Sequence, residues 1–201
     1  KEQDNIASNG NVSHALVPTD ELAIAKLVTD EQLIEEERWL ELARLLDSVP
    51  QHILESDIDL LLLRAWWLGH TQARFHEMSE TLTSAEALIA CSVIDEKKLA
   101  YVLGQIAVLR SAYEMIPAGD FEAGIDEADR ACELLATTPG RDLAFAYMIA
   151  AVARIGAGRF ASASRVAHSV VGDPRFAGSQ NDPMLWTMSY LGWVEGDLTV
   201  T

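Results

Sequence analysis

Gly156-Ala157-Gly158-Arg159-Phe160 closes an apolar-rich run, Leu143 to Ile155, and opens another that continues to Val171. Glycine ends a helix because it enters the left-handed region at no steric cost. A large apolar residue just after such a turn finds cover only if the chain doubles back on the helix it has left. The phrase recurs as Glu37-Arg38-Trp39, Ala73-Arg74-Phe75, Gly119-Asp120-Phe121 and Gly196-Asp197-Leu198. The five turn residues, Trp39 to Leu198, stand 36, 46, 39 and 38 residues apart. Near-constant periods of this size belong to helical-hairpin repeats, in which each unit buries its apolar face against its neighbours.

Outward from the turns the chain divides into helical stretches. Thr19-Asp20 caps a first helix carrying Leu22, Ile24, Leu27 and Val28, which Asp30 continues through Leu33 and Ile34. After Trp39, Leu42, Leu45 and Leu46 form an amphipathic helix that Pro50 stops. Ser56-Asp57 precedes a helix from Ile58 to Gly69, apolar nearly all round and therefore buried on two sides, and His76 to Ile89 returns from it. A third unit runs from Asp95 to Ile116, breaks at Pro117-Ala118-Gly119 and returns from Phe121 to Ala136; Thr137 to Gly140 is a linker. A fourth runs from Asp142 to Ile155 and returns from Phe160 to Val171, and a fifth helix, Met184 to Glu195, follows the link Gly172 to Pro183. Residues 1–18 read as a flexible lead-in and 19–201 as one repeat domain. No strand-like alternation of useful length occurs. The expected fold is all-α, a right-handed superhelical array of antiparallel hairpins with about four and a half repeats, the last cut short. A four-helix bundle is the competing arrangement.

Small residues recur around the turns: Ala112, Ala151 and Ser189 nine residues before the turn residue, Gly124 and Ala163 three after it, with Trp66 departing from the pattern. With the Gly-Asp-Phe turn this resembles the tetratricopeptide repeat. A more particular resemblance lies in Arg38-Trp39-Leu40-Glu41-Leu42, Leu45-Leu46-Asp47-Ser48-Val49-Pro50 and Asp57-Ile58-Asp59-Leu60-Leu61-Leu62-Leu63-Arg64-Ala65-Trp66-Trp67. These runs are similar to the opening of the repeat domain in MalT-like regulators, the large ATP-dependent transcription activators of LuxR type. Val49 and Ile58 stand where that pattern has leucine and proline. The resemblance implies a sensor arm that binds a small-molecule inducer or a regulatory protein. In that family a P-loop ATPase precedes the arm and a helix-turn-helix follows it; a general protein–protein scaffold of the tetratricopeptide type is the alternative.

Charge and composition limit the functions available. Net charge is −16, with 4 basic against 11 acidic residues in 1–50, 4 against 8 in 51–100, 3 against 8 in 101–150, and 4 against 4 thereafter. Phosphate backbones would be repelled from most of this surface, so direct nucleic-acid contact is not expected. The apolar run Leu60 to Leu68 is interrupted by Arg64 and falls short of the ~20 residues a membrane span needs. Residues 1–18 lack the apolar centre of a secretory signal, and Cys91 and Cys132 form no CxxC pair; both features suit the cytoplasm. The absence of a Gly-Lys dipeptide removes a phosphate-binding P-loop. His76 and Glu80 share a helix face without a third ligand, and no nucleophile elbow occurs. Neither catalysis nor a cofactor is expected.

Counting back from each turn residue gives a candidate ligand or partner groove. Eight positions before lie Trp67, Tyr113 and Tyr190; five before, His70 and Trp193; twelve before, Met148 and Trp186. Flat apolar rings with polar tips suit stacking on a sugar or an amphipathic helix; the alternative is that they pack as core. Arg64 and Arg110, each eleven before its turn, are expected to neighbour one another as receptors for an anion or carboxylate, or else to pair with acids of the chain. Trp186, Tyr190 and Trp193 form an apolar patch on the last helix, which a following helix is expected to cover in the parent protein and which, left open, offers a surface for a homodimer.

Overall fold

A computed structural model describes residues 39–138, 140–170, 173 and 192. Eight α-helices and one π-helical segment account for the described residues, with no strand among them. They are α1 (Trp39–Ser48), α2 (Gln51–Leu54), α3 (Ile58–Gln72), α4 (Phe75–Cys91), α5 (Glu96–Tyr113) with its π-helical end Glu114–Ala118, α6 (Phe121–Leu135), α7 (Arg141–Gly156) and α8 (Phe160–Val170). The expected helices on 19–34 and 184–195, the fifth turn and the lead-in lie outside the described residues.

Three hairpins, α3–α4, α5–α6 and α7–α8, are built on one turn. Ala73 (φ 50°), Gly119 (φ 70°) and Gly158 (φ 72°) occupy the left-handed region. Backbone bonds close the turns: Arg74 N–H donates to Leu68 O (3.0 Å), Asp120 N–H to Glu114 O (2.9 Å) and Arg159 N–H to Arg154 O (2.7 Å). These satisfy carbonyls that a helix end otherwise leaves open. Each left-handed residue is followed by one non-helical residue and then by the phenylalanine that starts the return helix. Asp57, Asp95 and Asp120 cap α3, α5 and α6 by accepting backbone N–H bonds.

Two boundaries differ from the sequence reading. Pro50 ends α1 but opens α2, a single turn, because a proline at a helix start loses no bond. Pro117 does not break the chain's helical path; it sits inside the π segment, which Gly119 terminates. A proline in an α-turn would collide with the carbonyl four residues back, and the wider π turn relieves that collision.

The core follows the stack. Leu42, Leu46, Leu60, Leu68, Met78, Leu82 and Val102 belong to one buried cluster, and Val108, Leu135, Leu143 and Val170 to the next. α5 contributes to both, which explains why Val102 to Leu109 is buried almost without interruption. Trp66 and Tyr101 pack on both clusters. Large rings sit against small residues where hairpins meet: a methyl group on Gly156 would lie 2.2 Å from the Phe121 ring.

A polar thread joins the first helices of the three hairpins. Trp66 Nε1 donates to Gln105 Oε1 (2.8 Å), Gln105 Nε2 donates to Asp142 Oδ2 (3.2 Å), and Tyr101 OH donates to the same oxygen (2.8 Å). Trp66 also meets Phe145 edge-on at 5.1 Å. Lys98 Nζ donates to Asp59 Oδ2 (2.8 Å), a bond that raises the Lys98 pKa above its ordinary value. The partners in these bonds are 37 to 41 residues apart, the repeat length read from the turns.

Two stability changes follow. Ala73→Gly relieves a left-handed alanine worth ~1–2 kcal/mol and loses ~0.4–1 kcal/mol through the freer unfolded chain. Urea denaturation is expected to show a net gain of about 0.5–1 kcal/mol, against a loss of similar size for Gly119→Ala. Gln105→Leu strips Trp66 Nε1–H of its acceptor and is expected to cost about 1–3 kcal/mol, part of it recovered by adding Trp66→Phe.

Candidate functional site

The lateral register decides which side chains can meet. Gln105 pairs with Trp66 and Lys98 with Asp59, both 39 residues on, whereas the turn residues Phe75 and Phe121 are 46 apart. The seven extra residues extend α5 and its π-helical end beyond α3, by about 10 Å at 1.5 Å per residue. Arg64 and Arg110, equivalent when counted from their turns, are therefore offset by two helical turns and do not form a neighbouring pair. This corrects the expectation drawn from spacing alone.

Arg110 is engaged on the return helix of the preceding hairpin. Its guanidinium donates to Ser79 Oγ (2.8 Å), Thr83 Oγ1 (3.1 Å) and Glu86 Oε2 (2.9 Å), clamping α5 to α4. Arg154 does the same work one hairpin on, with both oxygens of Asp129 (2.7 and 2.9 Å) and Ser162 Oγ (3.2 Å). Tyr113 and Met148 are half-buried against the two core clusters. Leu63 and Leu109, which share the register position of Met148, are core residues. The side chain of His70 and residues Trp186, Tyr190 and Trp193 lie outside what is described.

Of the groove residues expected from sequence, Arg64 and Trp67 line one cleft. It has a volume of about 230 Å³ and is bounded by Leu46, Asp47 and Val49 from the end of α1, Gln51 and Leu54 of α2, Arg64, Trp67 and Leu68 of α3, and Arg74 of the turn. Leu46, Val49, Leu54 and Leu68 are buried and form an apolar floor. Arg74 lies over the Trp67 ring, 5.9 Å from its centroid, within the range of a cation–π contact. Its guanidinium makes a two-point pair with Glu77: Nε donates to Oε1 at 2.5 Å and Nη2 to Oε2. That bond raises the Arg74 pKa, and holds the Glu77 carboxyl below its ordinary range with a smaller contribution from the Arg64 charge.

Arg64 differs from its counterparts. It is half-buried and forms no hydrogen bond with a described residue, while its charge acts on the Glu77 carboxylate. Asp47 and Arg74 are cleft residues that the groove count did not single out. The period of a repeat relates equivalent helices, and it carries no information on how the end of α1 meets the middle of α3.

Compared with protein-family models, curated proteins and solved structures, the chain matches none. Among the described residues no group of three or more His, Cys, Asp or Glu is placed to hold a metal, and no helix is long and apolar enough to cross a membrane. His76 Nε2 and Glu80 Oε1 stand 3.6 Å apart on an exposed helix face.

The two thiols are distinguished by environment. Cys91 is exposed at the end of α4. Burial, reinforced by the nearby Asp129 carboxylate and opposed by Arg154, pushes the Cys132 thiol up to about 12. At pH 8 its thiolate fraction is then on the order of 10⁻⁴. A disulfide-exchange reagent at that pH is expected to label Cys91 rapidly and Cys132 only on unfolding. Two equally fast thiols in the folded protein would contradict this environment.

Proposed function

We propose that this chain is a non-catalytic, ligand-binding helical repeat segment, the effector-sensing arm of a MalT-like regulator of LuxR type. On this reading the hairpins form a right-handed tetratricopeptide-like superhelix in the cytoplasm. The segment makes no direct contact with nucleic acid. Its occupant is a small-molecule inducer or a regulatory protein.

The observation that carries the proposal is convergence. Leu46, Asp47 and Val49 belong to the second run of the regulator-like sequence, and Arg64 and Trp67 to the third; the same cleft gathers both. The cleft brings a half-buried arginine that makes no hydrogen bond to a described residue beside an aromatic ring, an arrangement that suits an anionic or polar ligand. Support for the array comes from lateral bonds repeating at 37 to 41 residues between successive hairpins. A four-helix bundle closes on itself and gives no such period.

A small, partly open cleft with a few converging polar groups suits a small ligand, whereas a general scaffold would present a groove continuous along the array. Thermal-shift screening with sugars, organic acids and other metabolites tests this. A ligand at one hundred times its Kd adds ~2.7 kcal/mol, which for a chain of this size raises Tm by roughly 5–10 °C. Stabilisation confined to one chemical class is expected. A flat response across the panel, together with stoichiometric binding of a helical peptide, would replace the sensor reading with the scaffold one.

A further inference from the structure

The cleft at Arg64 has a composition that specifies more than its shape does. Among the described residues Arg44, Arg64 and Arg165 show no ion pair, and of these Arg64 alone is half-buried, Arg44 and Arg165 being exposed. Arg110, Arg130, Arg154 and Arg159 each reach one: Glu86, Glu127, Asp129 and Glu122. Arg74, on the rim of the same cleft, binds both oxygens of Glu77, and Arg64 acts on that carboxylate through its charge without a hydrogen bond. A guanidinium is planar and offers paired donors that match the two oxygens of a carboxylate. Half-burial strips some of its water, so an incoming carboxylate is held more tightly than at the open surface.

Two other features narrow the ligand. Asp47 lines the cleft and supplies acceptors only, so it suits a hydroxyl or ammonium group and repels a second anion. The Trp67 ring and the leucine–valine floor cover a short carbon skeleton. The volume, about 230 Å³, equals roughly eight waters and falls below the ~300–1,000 Å³ of sites for drug-sized molecules. We propose that this cleft binds a small organic acid bearing one carboxylate and a nearby hydroxyl or ammonium group, with the carboxylate on Arg64 and the donor on Asp47.

The inference rests on the ligand-binding reading of the segment and names the chemical class its cleft accepts. The test is calorimetric titration of the full chain at low ionic strength with lactate, serine, acetate and inorganic phosphate. Lactate or serine is expected to bind saturably, and acetate more weakly because it cannot engage Asp47. Arg64→Gln is expected to weaken lactate or serine roughly ten- to hundredfold. Arg64→Lys, which keeps charge but not the paired donors, should fall between the two. Asp47→Asn should reduce the preference over acetate. Because Arg64 bonds to none of the described residues, Arg64→Gln is expected to leave the Tm of the free protein within a degree or two, and Arg64→Lys reads the site if it does not. Phosphate binding more tightly than the organic acids overturns the ligand class. Binding unchanged in Arg64→Gln and Arg64→Lys, or no saturable binding of either acid, overturns the site. If the cleft proposal fails this way while a neutral sugar still raises Tm in Arg64→Gln, the sensor reading survives; silence from both removes the two together.

Discussion

The hydrogen bonds that run from Trp66 through Gln105 to Asp142 set the geometry on which the rest depends. Apolar packing alone tolerates sliding of one helix along another by a turn, since leucines and alanines on neighbouring turns are near-equivalent. An indole N–H has one direction and needs an acceptor once water is excluded. Placing Gln105 there, with its other end on Asp142, makes a shifted register take this acceptor away from a partly buried donor. Among the described residues no buried side-chain nitrogen or oxygen lacks a partner. The thread thus costs nothing in unmet polar groups, and it selects one alignment among several that apolar contacts would accept.

Fixing the register in this way has a consequence at the second hairpin, α5–α6. α5 must match α3 near its start, through Lys98 and Gln105, and α7 through Gln105 and Tyr101. It nevertheless turns back seven residues later than α3 when counted from the shared bonds. The π segment with Pro117 lies in this additional length and delivers the chain to Gly119 and Phe121. Phe121 then rests on Gly156 of the next hairpin. The long spacing of 46 between turns is an extension at one end of one helix, with the lateral alignment kept.

This separates what the sequence reveals from what it conceals. The helices, their order and the turn phrase are readable because apolar periodicity and left-handed glycines are local signals. Ala73 holds the left-handed place that Gly119 and Gly158 hold in the other two described turns, and it was legible only through the Phe75 that follows. Arg64 and Trp67 were identifiable as unusual residues on an apolar helix. Their surroundings were not, because the choice between Arg110 and Asp47 as a neighbour depends on the lateral register, and that is set by side chains 37 to 41 residues apart. Arg110 illustrates the point: by composition it equals Arg64, but Ser79, Thr83 and Glu86 lie in a stripe on α4 that receives it.

The cleft also occupies a mechanically informative place. Its floor residues Leu46 and Val49 come from α1, Leu54 from α2 and Leu68 from α3, and all four belong to the first core cluster. A molecule seated there touches both sides of the joint between α1–α2 and the hairpin stack, so its binding energy adds to the packing that holds the joint. In a repeat protein each unit is stabilised by its immediate neighbours, and strengthening one interface acts on the adjoining unit before any other. Trp66 and Trp67 are consecutive on α3, one turned to the polar thread and the other to the cleft. A shift of α3 that accommodates a ligand at Trp67 must therefore be absorbed at the Trp66–Gln105 bond or carried into α5. On the proposed reading, the first course strains the Trp66–Gln105 bond and the second leaves it intact.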